Sequence, residues 1–316
     1  MLRETSDAAG NVNQMDLRAI NKPPAPPASG VLELMLGEGV TWGDAGEWLP
    51  ALPDESVDLF FTSPPYANLR DYARIDPDRY VDWFLPSSSA MLTALKPTGS
   101  FVLNIKDRVV NGERHPYVLE LVLALRRTGW RWIETYIWVK PNAIPGRFGA
   151  RTKDSWEYVF WFAKGKKPYF DLDGVRVPYR TTAGERARRE LDPAPRRNTA
   201  AGHGRKRSQT FRHGAADPGN VITVPLTYNQ HRGVAHTAAM PERLAEFFVK
   251  AGAPEGGVVI DPFAGGGTTS VVASSLGRRA GGIELHYEHV VEARRRLSSL
   301  QLQLDVPPSI QLLAAG

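Results

Sequence analysis

The stretch GGVVIDPFAGGGTTSVVASSLG (256–277) decides the fold. Val258 to Ile260 read as a short buried strand, a glycine turn follows, and small and β-branched residues then read as a helix closed by Gly277. Strand, glycine loop and helix in that order let the backbone approach a nucleotide-like ligand with no side chain in the way. RRAGGIEL (278–285) supplies the next strand, and its Glu284, 23 residues after Asp261, sits where a carboxylate can accept both hydroxyls of a ribose. The loop itself is Asp261-Pro262-Phe263-Ala264-Gly265-Gly266-Gly267-Thr268-Thr269. Nicotinamide and flavin sites use the same crossover but normally carry a third glycine where this chain has Ser270.

Upstream, VDLFFTS (57–63) is a continuous apolar run closed by two prolines, which reads as a strand covered on both faces. DPDRYVDWFLPSSSAMLTALKPTG has apolar residues at helical spacing and is expected to stop at Pro97 and Gly99, with SFVLNI (100–105) as the next strand. HPYVLELVLALRRTG (115–129) reads as an amphipathic helix, RWIETYIWVK (131–140) and WEYVFWFAK (156–164) as aromatic-rich strands, and PERLAEFFVKAG (241–252) as a helix. Alternating strands and helices predict an α/β fold with a doubly wound, mainly parallel sheet. With 316 residues, 42% of them hydrophobic, the chain suits one large domain or one domain with a sizeable insertion.

The expected division is a flexible, Pro-rich arm over 1–30, a first part of the domain over 31–173, a basic insertion over 174–230, a cofactor-binding part over 231–300 and a tail over 301–316. The charge supports the insertion. Eleven Lys and Arg stand against three acids between Arg176 and His213, a net +8, whereas the whole chain carries +5 and the remainder is therefore −3. Such a local excess fits a polyanion footprint or a solvated loop. The polar N-terminus and the absence of any run approaching 18 apolar residues predict neither a signal peptide nor a membrane span. Zero cysteine removes disulfides, thiolate metal sites and cysteine nucleophiles.

Thr62-Ser63-Pro64-Pro65-Tyr66 ends a buried strand, at the sheet edge where doubly wound folds bind ligands. The prolines fix the backbone and present carbonyls without competing N–H groups. An exocyclic amine on cytosine or adenine is a poor nucleophile because its lone pair is delocalised into the ring. Acceptance of its two hydrogens by Ser63 Oγ and the Pro64 carbonyl would favour a pyramidal nitrogen with the lone pair directed at a methyl donor. Tyr66 would offer an aromatic face to a base swung out of a duplex.

Together, SPPY and DPFAGGGTT resemble the β-class amino-methyltransferases of DNA, the N4-cytosine and N6-adenine family, over roughly Gly43 to Arg294. The resemblance implies S-adenosylmethionine as cofactor, held by Asp44, Thr62, His236, Asp261, Pro262, Phe263, Ala264, Gly265, Gly267, Thr268, Thr269 and Glu284. It implies catalysis at Ser63, Pro64, Pro65 and Tyr66, and no metal. His236-Thr-Ala-Ala-Met-Pro241 is similar to the element that closes over the methionine end, and WVKPN (138–142) with Trp156-Glu157 to the strands beside the target pocket. Two departures stand out: the family often has Gly-Ser-Gly where this chain has Gly265-Gly266-Gly267, and His where it has Trp156.

The implied partner is double-stranded DNA, contacted by Arg188, Arg189, Arg196, Arg197, Arg205, Lys206, Arg207 and Arg212. A homodimer and a separately acting cognate restriction endonuclease are further partners left open, and the implied setting is the cytoplasm, with a prokaryotic or phage origin. Ser at the first motif position points to N4 of cytosine, since adenine enzymes of the class more commonly carry Asp; N6 of adenine is the alternative, and an inactive DNA-binding protein is the rival outside enzymes. Methylation at C5 of cytosine is excluded, because it proceeds through a cysteine adduct that this chain cannot form.

Overall fold

Val57–Thr62 and Val258–Asp261 are buried at every position. Neither alternates, because both faces are covered. They form the centre of an eight-stranded sheet in the computed structural model, which describes residues 22–67, 75–143, 150–178, 215–226 and 240–304.

In chain order the sheet strands are β1 (Thr41–Trp42), β2 (Val57–Thr62), β3 (Leu95–Ile105), β4 (Arg131–Val139), β5 (Trp156–Ala163), β6 (Val221–Thr223), β7 (Val258–Asp261) and β8 (Arg279–Glu284). Across the sheet they lie β1-β8-β7-β2-β3-β5-β4-β6. Only β5 is antiparallel to its neighbours, β3 and β4. The chain therefore forms the expected doubly wound, mainly parallel sheet, a Rossmann-like arrangement.

The helices are α1 (Val31–Glu38), α2 (Ala45–Trp48), α3 (Tyr80–Ala94), α4 (Tyr117–Arg127), α5 (Glu242–Gly252), α6 (Thr268–Ser275) and α7 (Tyr287–Leu304). Strand residues divide by parity. Phe60, Phe101, Phe162 and Ile260 pack with Met35 of α1, Phe84 of α3 and Leu121 of α4. Phe61, Val102, Trp161 and Val259 pack on the other face with Leu244 and Phe248 of α5 and Val272 of α6. Burying each such side chain contributes roughly 1.5–3 kcal/mol, so the two apolar layers supply most of what holds the sheet.

The crossover from β2 through α3 to β3 runs one way along the sheet, and that from β7 through α6 to β8 runs the other. The switch point is the seam between β7 and β2, where the crevice beyond the strand ends is open to a ligand.

Four boundaries differ from expectation. β3 begins at Leu95, because Val57 pairs with Leu95 before Leu59 pairs with Ser100; the intervening bulge brings Lys96 Nζ to Asp58 Oδ2 at 2.7 Å. β6 lies within the stretch assigned to the basic insertion, yet it is an edge strand of the central sheet. The insertion's two described ends meet, Val177 opposite Ala216 and Pro178 opposite Ala215. Residues 22–30 of the arm include a contact to the body, the Trp48 indole N–H donating to the Pro24 carbonyl at 3.0 Å, and α7 runs to Leu304, into the stretch assigned to the tail. No described helix is long and apolar enough to cross a membrane.

Candidate active site

The loop after β7 and the turn after β2 meet through a carboxylate. Asp261, the last residue of β7, accepts from the Thr62 hydroxyl at Oδ1 (2.5 Å), the Phe263 N–H at Oδ1 (3.0 Å) and the Thr269 hydroxyl at Oδ2 (2.8 Å). These bonds tie together the two strand ends and the first turn of α6 across the switch point. Burial lifts the Asp261 carboxyl from the ordinary 3.8 to about 6, against the opposing pull of these three donors.

A raised carboxyl pKa means the fold binds a proton more tightly than the unfolded chain does. Its contribution is present below the unfolded value and is lost as pH rises through about 6. Relative to Asp261→Asn, the unliganded parent should lose on the order of 2–3 kcal/mol of stability between pH 4 and 7. Denaturant melts of both chains at several pH values test this, and a parent-minus-variant difference that does not change with pH refutes it.

Glu284, at the end of β8, accepts from the Gly265 N–H at Oε2 (2.8 Å) and from the His286 N–H (2.8 Å) and His289 Nδ1 (3.3 Å) at Oε1. Burial pulls this carboxyl upward, but these donors outweigh it and hold it below its usual range. Gly265 and Gly267 both have positive φ, 51° and 74°, and Gly267 caps α6. Arg296 of α7 fixes the loop from behind, donating to the Gly266 carbonyl and to Thr268 Oγ1.

A single cavity of about 500 Å³ joins these parts. Ser63 and Pro65 line one region, and Asp261, Phe263, Gly265 and Glu284 line another, with Asp44, Pro262, Ala264 and Thr268 also in its wall. The volume is in the range of small-molecule sites, roughly 300–1,000 Å³. Asp44 in addition caps α2, its Oδ1 accepting from the Gly46 N–H at 2.7 Å. Thr62, Thr269 and Gly267 stand behind the lining, holding Asp261 and the loop.

His236 and the eight basic residues from Arg188 to Arg212 lie outside the described residues. Tyr66 is half-buried against the core and is not part of the cavity wall. Instead its hydroxyl meets Ser63 Oγ at 3.1 Å and Glu157 Oε2 at 2.7 Å, and the Tyr80 hydroxyl donates to the Pro65 carbonyl at 2.8 Å.

Sequence reading missed the contribution of α3, whose Trp83, Pro86 and Ser87 line the cavity, and that of His286 and His289. The histidines had a signal, since HYEH directly follows the acidic strand end. The α3 residues had none, because a helix facing the core gives no sign of which turn roofs a cleft.

The cavity fits S-adenosylmethionine. Carboxylates suit ribose hydroxyls, bare glycine backbone suits close approach, and the Trp83 and Phe263 rings, 5.6 Å apart, give the wall its apolar part. Two loops from opposite ends of the domain, the glycine loop after β7 and the Ser-Pro-Pro-Tyr turn after β2, share this space. That layout defines an S-adenosylmethionine-dependent methyltransferase.

The comparisons with known proteins narrow the class. The family model described as DNA methylase (N6_N4_Mtase) matches residues 57–295, and the chain belongs to this family. It is 28% identical over 278 residues to the type II methyltransferase M.PvuII of Proteus hauseri, covering 80% of this chain and 82% of that one. It is 30% identical over 291 residues to M.SmaI of Serratia marcescens, covering 81% and 89%. In structure it resembles the PvuII DNA methyltransferase described as cytosine-N4-specific (TM-score 0.62, 22% identity, 89% and 94% covered). It also resembles a DNA modification methylase of Thermus thermophilus complexed with S-adenosyl-L-methionine (TM-score 0.55, 26% identity, 83% and 93% covered). The protein is thus an S-adenosylmethionine-dependent DNA methyltransferase.

Proposed function

We propose that this DNA methyltransferase modifies N4 of a cytosine flipped out of duplex DNA. The observation that carries the reading is the shared cavity: Ser63 opens into the same space as Asp261, Gly265 and Glu284, so an amine held at the turn lies in the compartment that takes the cofactor. Asp44, Phe263, Gly265, Thr268 and Glu284 would hold S-adenosylmethionine, which when bound supplies an electrophilic methyl group on a sulfonium.

The residues of the turn do the rest. Ser63 Oγ and the Pro64 carbonyl accept the two amine hydrogens, and the Tyr80 bond to the Pro65 carbonyl keeps the turn rigid. Positioning and exclusion of water then provide most of the acceleration, with no covalent enzyme intermediate. Ser63 is neutral, in line with cytosine as the target. Arg188, Arg189, Arg196, Arg197, Arg205, Lys206, Arg207 and Arg212 supply phosphate contacts, from a segment whose described ends pair with each other at Val177–Pro178 and Ala215–Ala216, just ahead of the edge strand β6.

Incubation with labelled cofactor and mixed-sequence duplex DNA, followed by nucleoside mass spectrometry, tests the target. N4-methylcytosine is expected, and N6-methyladenine alone would overturn the cytosine assignment. In the same preparation, neutralising Arg205, Lys206 and Arg207 should weaken DNA binding and flatten its dependence on salt; an unchanged slope would remove these residues from the interface.

A further inference from the structure

Behind Ser63 lies a buried chain of polar groups contributed by three adjacent strands. Asn104 is on β3, Glu157 on β5 and Lys140 directly follows β4; all three are buried. Lys140 Nζ meets Glu157 Oε1 at 2.7 Å. Glu157 Oε2 accepts from the Tyr66 hydroxyl at 2.7 Å and from Asn104 Nδ2 at 3.2 Å. Asn104 Nδ2 also donates to the Tyr158 carbonyl at 3.1 Å, which turns its Oδ1 toward Tyr66 at 3.3 Å. A buried ion pair whose carboxylate also accepts from two neutral donors is the case in which an internal carboxylate is tolerated.

The direction of each hydrogen bond follows from counting protons. A carboxylate facing an ammonium and an amide N–H accepts only. Tyr66 has one hydroxyl proton; the groups facing it from the strands are acceptors, and the shorter bond, to a charged oxygen, takes it. Tyr66 Oη can therefore meet Ser63 Oγ, 3.1 Å away, only by accepting. Ser63 directs its single proton backward to Tyr66 and presents lone pairs alone to the cavity.

We propose that Glu157, fixed by Lys140, is a positioning residue that sets this polarity and makes Ser63 an acceptor for an amine in preference to a donor for a carbonyl. Bases carrying N–H₂ at the reacting position are thereby favoured over their keto counterparts. The inference rests on the reading of Ser63 as the amine acceptor, and it holds for cytosine and adenine alike.

In Glu157→Gln the Lys140 ammonium takes the amide oxygen and turns the amide N–H₂ toward Tyr66. Tyr66 then loses the charged acceptor of its proton, Ser63 Oγ at 3.1 Å competes for that proton with the neutral Asn104 Oδ1 at 3.3 Å, and the Ser63 proton is no longer held backward. The test uses S-adenosylhomocysteine, so that no transfer occurs, and duplexes whose target base is either intact or replaced by its keto form, uracil for cytosine or hypoxanthine for adenine. The parent should bind the amine duplex about 10- to 100-fold more tightly. Glu157→Gln should bring the two within about threefold, with cofactor-induced thermal stabilisation retained.

Tyr66→Phe breaks the same chain without touching a charge, and decides the matter if Glu157→Gln does not fold. A variant that folds, binds cofactor and keeps the parent's amine-to-keto ratio overturns the inference, as does a parent that does not discriminate. Ser63→Ala separates the two levels: if it retains full transfer, the acceptor reading of the turn itself fails. If it loses transfer while Glu157→Gln and Tyr66→Phe keep the ratio, only the role of Glu157 is removed.

Discussion

Methyl transfer should fall about 10²- to 10³-fold in the Ser63→Ala chain, while S-adenosylmethionine still raises the melting temperature by the parent's increment. The alanine removes the hydroxyl proposed to accept from the amine and leaves the rest of the cavity wall intact. Ser63 makes its bond to Tyr66 rather than to the glycine loop, so the cofactor region should not register the change. Rapid-quench measurement of a single turnover, with cofactor and DNA both saturating, isolates the chemical step. Full single-turnover transfer would take the hydroxyl out of the mechanism, and a lost thermal shift would mean that the substitution damaged the cofactor region instead.

Gly267→Ala should cost roughly 2–4 kcal/mol of folding stability, the sum of a left-handed backbone penalty and a collision. Its φ is 74°, and a Cβ there would lie 2.7 Å from Ala293 Cβ and 3.3 Å from Ala293 Cα. The second of these atoms is backbone of α7, which cannot step aside without moving the helix. Gly265 is the control. Its φ is 51°, and an added Cβ meets no atom within 4 Å, because it projects into the open space of the site. Gly265→Ala should lose about 1 kcal/mol of stability and considerably more of its cofactor affinity. Chemical denaturation and cofactor titration of both variants separate the roles; equal losses of stability would show that the collision at Gly267 is relieved.

Most of the fold was legible because the buried strands are continuous apolar runs and their breaks are Pro and Gly. Phe60 and Phe61 belong to opposite apolar layers, which explains why VDLFFT carries no alternation to read. The start of β3 was not legible, since Lys96-Pro97-Thr98-Gly99 looks like the end of a helix, and the Lys96–Asp58 pair that stabilises it as a bulge joins residues far apart in sequence. α7 was missed as well. Its Val290 and Ala293 form a small cluster with Val40 and Ala264, and that burial becomes visible only when β1 is in place beside β8.

The candidate site divides in the same way. The glycine loop, Glu284 and the Ser-Pro-Pro-Tyr turn could be read because the chemistry of each lies within a few consecutive residues. Tyr66 read as an aromatic surface, whereas its hydroxyl is held in a polar network and burial, then the nearby Glu157, push its pKa well up. Trp156, the departure at the family's usual histidine, is exposed, and the buried polar side chain is its neighbour Glu157.

From its amino acids alone this protein declared a doubly wound sheet, a glycine loop followed by an acidic strand end, a Ser-Pro-Pro-Tyr turn and a displaced block of positive charge, because backbone conformation and local chemistry are set by neighbours in the chain. The absence of cysteine added that cytosine C5 could not be the target. Only the tertiary structure decided that the two motifs open into one cavity and that Asp261 is pushed up to about 6. It alone brought Lys140, Glu157 and Asn104 together behind Ser63. Proton affinity and hydrogen-bond direction depend on desolvation and on groups carried by other strands, and neither is encoded within a single stretch of sequence.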